Sequence, residues 1–178
     1  NAIYDLMGAL SAVRAHEFPV MWNDTTIGSF RAASNVIGGQ LGAALRRFAD
    51  HPGDRRAVAA LSRDPGAVGQ IRTTCVPTLL AGGHAENALP QSAQATLNCR
   101  VFPGVAVEAV HAELRRLVGA DIEVAQVDPA FASDASPLRP DVVAALAAAL
   151  NATYPGTPIS PAMSAGATDG VFFRAAGI

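Results

Sequence analysis

The chain has 178 residues and a mass of 18.2 kDa; half of it is apolar, only 16% is charged, and the formal net charge is −2. That balance excludes a disordered tail and a strongly basic nucleic-acid binder, and no uninterrupted apolar run approaches the ~20 residues that span a bilayer. All thirteen basic residues are Arg, which also excludes mechanisms that need a catalytic Lys, among them Schiff-base chemistry and the Walker phosphate loop.

Ile3, Leu6, Met7, Leu10 and Val13 recur at the helical period, so the spacing predicts a helix over 2–16, ended by Glu17-Phe18-Pro19. A second, glycine-interrupted helix is predicted over 27–49, with Phe30, Ile37, Leu41, Leu45 and Phe48 on its face and Asp24, Thr25 and Thr26 as cap candidates. His51-Pro52-Gly53-Asp54 reads as a turn, 55–62 as a short helix and Asp64-Pro65-Gly66 as another turn. The period then changes to two. Strands are predicted over 70–80 and 93–102, the second with Ala93, Ala95, Leu97, Cys99 and Val101 alternating against polar residues. Pro103-Gly104 leads into an amphipathic helix over 105–118, and 122–127 reads as a short strand. Residues 131–138 read as a linker, 140–150 as an Ala-rich helix and 164–170 as a loop.

Helix, inserted helices, strand, strand, helix, strand becomes β-α-β-β-α-β once one strand is placed before Asn1. The expected class is therefore α+β: a ferredoxin-like domain over 1–130 with a helical insertion at about 24–64, followed by a separate piece over 131–178 that is too short to bury a core alone. The 70–80 strand is expected at a sheet edge, where Pro77 is tolerated. Neither end has the polar, frayed character of a natural terminus, so the chain is expected to be a segment of a longer protein, with any targeting signal upstream.

The four His (16, 51, 84 and 111) show no i, i+4 pair of the helical zinc-site kind. His84-Ala85-Glu86 lacks the downstream Pro-Cys-x-x-Cys that a zinc deaminase needs, because Cys99 is followed by Arg-Val-Phe. Gly38-Gly39-Gln40-Leu41-Gly42 follows no strand and reads as helix packing, not as a dinucleotide fingerprint. Cys75 and Cys99 fall on strands that should pair; a cross-strand disulfide is open to them, but two small apolar residues in a core is the favoured reading. The Arg pairs at 46–47, 55–56 and 115–116 read as solvated helix faces.

Two places carry more chemistry. One is the loop Gly82-Gly83-His84-Ala85-Glu86-Asn87-Ala88-Leu89-Pro90 together with Arg100 on the following strand. A flexible backbone, an amide and a planar two-pronged guanidinium are what a carboxylate would be held by. The other is Gly166-Ala167-Thr168-Asp169, where backbone N–H groups and a hydroxyl are available. A hairpin turn and a helix cap are the plain structural readings of the two.

At these residues the chain resembles the di-zinc exopeptidase and aminoacylase family, which takes in glutamate carboxypeptidases, Xaa-His dipeptidases and succinyl-diaminopimelate desuccinylase. The likeness is carried by 72–90, ending in Gly82-Gly83-His84-Ala85-Glu86-Asn87-Ala88-Leu89-Pro90, by Leu97-Asn98-Cys99-Arg100-Val101-Phe102-Pro103-Gly104, and by Gly166-Ala167-Thr168-Asp169-Gly170. The resemblance implies that 1–130 is a lid and dimerisation domain inserted into an α/β zinc-binding catalytic domain, to which 131–178 returns. It implies that Asn87 and Arg100, with Gly166, Thr168 and more weakly His84, bind the substrate carboxylate or the reacting carbonyl. The implied activity is hydrolysis of a peptide or N-acyl amino acid by a homodimer that carries two zinc ions.

The family's metal ligands match nothing in this chain and are expected before Asn1 and after Ile178, so this segment alone is expected to be inactive and to hold no zinc. Val171 stands where many relatives carry Arg or another polar residue, which leaves the substrate class open. The alternative from another class is a free-standing ferredoxin-like dimerisation or ligand-binding module.

Overall fold

The apolar period at the start of the chain becomes α1 (Ala2–Ala15), whose N-cap Asn1 accepts a hydrogen bond from the Ile3 amide and whose buried side is Ala9 and Val13. A computed structural model describes every residue except Ala165, Ala167 and Ile178. Two compact units emerge from it. One takes in Asn1–Pro19, Thr73–Asp134 and the last helix; the other is Val20–Arg72 with Ala135–Gly166.

The second unit is built on helices. The glycine-interrupted helical stretch expected over 27–49 is two helices, α2 (Asp24–Ala33) and α3 (Gly39–Asp50), and the cap of α2 is Asn23, whose side chain accepts from the Thr26 amide. The break has a backbone cause: Gly39 sits at φ +67, in the left-handed region that only glycine enters freely. Gly42 then lets α3 lie against the Ile37 carbonyl, because a Cβ there would sit on that oxygen and 2.8 Å from the carbonyl carbon. Helix α4 (Arg55–Leu61) starts at Asp54, whose Oδ1 accepts from the amides of Arg56 and Ala57, both at 2.9 Å.

Phe30, Phe48, Leu61 and Ile71, all at most 2% exposed, are the centre of this unit's core. Phe48 meets Phe30 and Trp22 edge to face at centroid distances of 5.6 and 6.2 Å, a geometry that aromatic quadrupoles favour. Helix α6 (Pro140–Thr153) carries Pro at its first position and buries none of its residues.

In the first unit the strands are β1 (Thr74–Gly82) and β2 (Ala93–Arg100), paired antiparallel. The strand expected from residue 70 begins only at Thr74, since Val68–Gln70 is a 3₁₀ turn. Between Pro77 and Leu79 the register shifts. Pro77 has no N–H to donate, and the extra residue Thr78 turns its hydroxyl to the Thr96 carbonyl at 3.3 Å.

Helix α5 (Val107–Val118) packs with α1 over one face of this hairpin, closing Val13, Val110 and Leu114 against Cys75, Leu97 and Cys99. The alternation of β2 survives as expected, with Ala93, Ala95, Leu97 and Cys99 turned inward.

The strand expected over 122–127 is corrected: among the described residues it joins no ladder. A strand exists by pairing, and no described strand lies beside this segment. Val124 nonetheless packs on the core, and its carbonyl lies 3.0 Å from His111 Nε2. The class is α+β, with a two-stranded antiparallel sheet among the described residues. Helix α7 (Gly170–Ala175) occupies the apolar stretch after the last loop. No helix among the described residues is long and apolar enough to cross a membrane.

Candidate functional site

The hairpin loop grows out of Gly82 and Gly83, and packing explains both. A Cβ on Gly82 would stand 3.0 Å from Ala93 Cβ and 3.3 Å from Ile3 Cγ1, while Gly83 takes φ +78. The first turn of α1 therefore braces the loop. Ile3 lies over the glycines, and the Ala2 amide donates to the Pro90 carbonyl at 3.4 Å. At the tip, the Ala88 amide donates to the Ala85 carbonyl at 3.5 Å, closing a turn with Glu86 and Asn87 at its centre. His84 and Asn87 are exposed there. Among the described residues the side chains of His84, Asn87 and Arg100 make no hydrogen bond or ion pair, so their polar atoms face solvent.

Arg100 is not at the loop. It pairs with Thr74 at one end of the ladder, whereas Gly82 pairs with Ala93 at the other. Seven residue steps of strand run from Ala93 to Arg100, a span of ~23 Å at ~3.3 Å per step. Asn87 lies in the connection beyond Gly82, and Arg100 at the far end of β2. Each presents its polar group at its own end of the hairpin, available to a ligand held from elsewhere.

Next to Arg100 the two cysteines are joined. Cys75 and Cys99 face each other across the strands and form a disulfide, which corrects the expectation of two unbonded core residues. They do pack on the core, against Val13, Val110 and Leu114. Directly opposed positions on antiparallel strands bring the two Cβ atoms within bonding reach, and sequence spacing alone does not fix that register. At the same end of the hairpin, Thr73 Oγ1 accepts from the Phe102 amide at 3.0 Å.

Gly166 belongs to the second unit, where its amide donates to Ser164 Oγ at 3.1 Å. Thr168 is exposed; its carbonyl accepts from the Val171 amide at 3.2 Å as α7 begins, the helix-start reading of this loop. Ala167, quoted within the same motif, lies outside the described residues.

The displaced titrations lie away from the hairpin loop. The Arg116 guanidinium, at 2.8 and 2.7 Å, holds the Glu113 carboxyl below its ordinary value, and the carboxylate in turn raises Arg116. His16 Nε2 approaches the same carboxylate at 3.3 Å. Spacing gives no hint of this pair, because it is made by α1 packing on α5.

The donors do not fit a zinc site. His16 and Glu113 make at most two ligands, both cysteines are in the disulfide, and no group of three or more His, Cys, Asp or Glu is gathered among the described residues.

Residues 1–124 match the peptidase dimerisation domain. Among curated proteins, the human N-fatty-acyl-amino acid synthase/hydrolase PM20D1 is 35% identical over 119 residues, covering 64% of this chain and 23% of that protein. The chain thus spans about a quarter of the length of this relative. No solved structure matches.

Proposed function

The chain belongs to the peptidase dimerisation domain family, and we propose that it is the lid and dimerisation segment of a zinc-dependent hydrolase of peptide or N-acyl amino acid amides. The observation that carries the reading is the hairpin. It is an antiparallel pair whose edges join no further strand among the described residues, and β1 leaves Val76, Leu79 and Leu80 at least half exposed. Tyr4 and Met7 of α1 add to that unit's apolar surface. Exposed apolar patches of this kind support association, and a second copy of the chain is the proposed partner.

In this reading the division of labour is 1–130 as the lid, in a ferredoxin-like arrangement, and 131–178 as the return toward the catalytic domain. The human relative is an N-fatty-acyl-amino acid synthase/hydrolase, which makes an N-acyl amino acid the leading substrate class. Asn87 and Arg100 bind its carboxylate or carbonyl from two separate ends of the hairpin. Gly166 and Thr168 contribute backbone and hydroxyl donors, and His84 a weaker contact. The two zinc ions would be held by other parts of the longer protein, and no step through them is derived from these residues.

Sedimentation equilibrium of the chain should give twice 18.2 kDa, and Leu79→Asp with Leu80→Asp should return it to the monomer. A monomer at tens of micromolar would refute the dimerisation role. In the complete hydrolase, Arg100→Ala should lower kcat/KM by roughly 30-fold or more, the effect of leaving a charged partner unpaired. An unchanged value would remove Arg100 from the site.

A further inference from the structure

We propose that the Cys75–Cys99 disulfide is a redox-operated clasp on the Arg100 end of the hairpin, opened by a dithiol without unfolding of the molecule. A two-stranded hairpin is marginal by itself, and the two ends of this one are secured differently. The loop end is held by α1, through Ile3 over Gly82 and through the Ala2–Pro90 backbone hydrogen bond.

The other end carries four register pairs: Thr74–Arg100, Cys75–Cys99, Val76–Asn98 and Pro77–Leu97. A bulge after Pro77 shifts the register between these pairs and the loop end, and Pro77 cannot donate to the ladder. Besides this short ladder, that end is held by the Thr73–Phe102 hydrogen bond, partial packing on the α1–α5 core, and the covalent bond. Neither cysteine is fully buried, and thiol–disulfide exchange needs a reductant to reach only one of the two sulfurs.

The chemistry balances with a dithiol as the reductant. One of its thiolates attacks a cysteine sulfur, the Cys75–Cys99 bond breaks, and a mixed disulfide forms. The second thiol of the reductant displaces it and leaves as a cyclic disulfide. Two electrons and two protons have then passed to the chain, and Cys75 and Cys99 are free thiols. Opened, the clasp lets 74–77 and 97–100 separate, and Arg100 loses its register opposite Thr74. The consequence for substrate binding rests on the role proposed for Arg100; the opening itself does not, and it is read without any activity.

The chain, purified without reductant, would be titrated with dithiothreitol in native buffer. Free thiols would be counted by maleimide labelling and intact mass, with amide exchange followed in parallel. The expected result is two labelled thiols per chain under native conditions. Protection of the amides at 74–76 and 97–100 should fall by about tenfold or more, while α5 and α3 keep theirs. Oxidised glutathione should restore both readings, and Cys75→Ala with Cys99→Ala should show the loosened pattern with no reductant added.

Labelling that appears only together with global unfolding would make the bond a fixed staple and overturn the proposal. So would two thiols with unchanged hairpin protection, or thiols already free in the unreduced protein. A monomeric oxidised chain with a clasp that opens as described would instead count against the dimerisation reading alone.

Discussion

One substitution made at two glycines tests the packing with opposite signs. Gly8 lies in the middle of α1, exposed, and a Cβ there would meet nothing within 4 Å. Gly8→Ala removes unfolded-chain freedom at no steric cost and should stabilise the first unit by ~0.5–1 kcal/mol. Gly42 is just as helical, but its Cβ would land on the Ile37 carbonyl. The obstacle is backbone within the turn that joins α2 to α3, so relief requires that turn to move.

Overpacking of this kind costs ~1–3 kcal/mol, and the obstacle being backbone favours the upper part of that range. With the helix-propensity gain of ~0.5–1 kcal/mol subtracted, Gly42→Ala should destabilise by ~1–2 kcal/mol. For a chain of this size that is a fall in melting temperature of ~2–8 °C.

The two compact units allow separate readings. The single tryptophan, Trp22, stands against Phe48 in the second unit, so its fluorescence in a urea titration reports the Gly42 variant. Amide exchange along α1 reports the Gly8 variant. A Gly42→Ala protein as stable as the parent, or more so, would refute the close approach of α3 to the Ile37 carbonyl.

Phe48→Ala removes a fully buried ring from between Phe30 and Trp22 and should cost ~3–5 kcal/mol, seen as an early loss of Trp22 fluorescence in urea. The Asp54 carboxyl is held below its ordinary value of 3.8, chiefly by the Ala57 amide it accepts from, with the Arg47 charge adding to this. A depressed folded-state value means that this contribution is fully present above pH 3.8 and is lost as pH falls through the lower folded value. Asp54→Asn keeps a side-chain cap but does not titrate, so it should flatten that part of the acid limb in a pH series of urea midpoints. Glu113 follows the same sign through Arg116, so Arg116→Ala should bring its titration back toward the ordinary value by NMR.

The local devices of the fold could be read residue by residue. Helix α1 follows from the spacing of Ile3, Leu6, Leu10 and Val13, α4 from the turn ending at Asp54, and β2 from the alternation at Ala93 to Cys99. Each depends on periodicity or a cap within a few residues, which is information the chain carries locally. The family likeness was legible for the same reason, since Gly82 to Pro90 and the Arg100 segment are contiguous motifs.

The tertiary structure decided what depends on register and packing. The 27–49 stretch broke where Gly39 takes φ +67, a backbone conformation that apolar spacing does not forecast. The 122–127 stretch kept its apolar positions but formed no strand, because a strand needs a neighbour as well as an alternating pattern.

The candidate site divides along the same line. Its residue types were visible in the sequence, while the bulge after Pro77 and the antiparallel register placed Asn87 and Arg100 at opposite ends of one hairpin and put Cys75 opposite Cys99. Periodicity assigns a residue to a face of its own element. Which residue it meets across the fold is settled only when two elements pack, because the energy that selects the register resides in their contacts and not in either sequence alone.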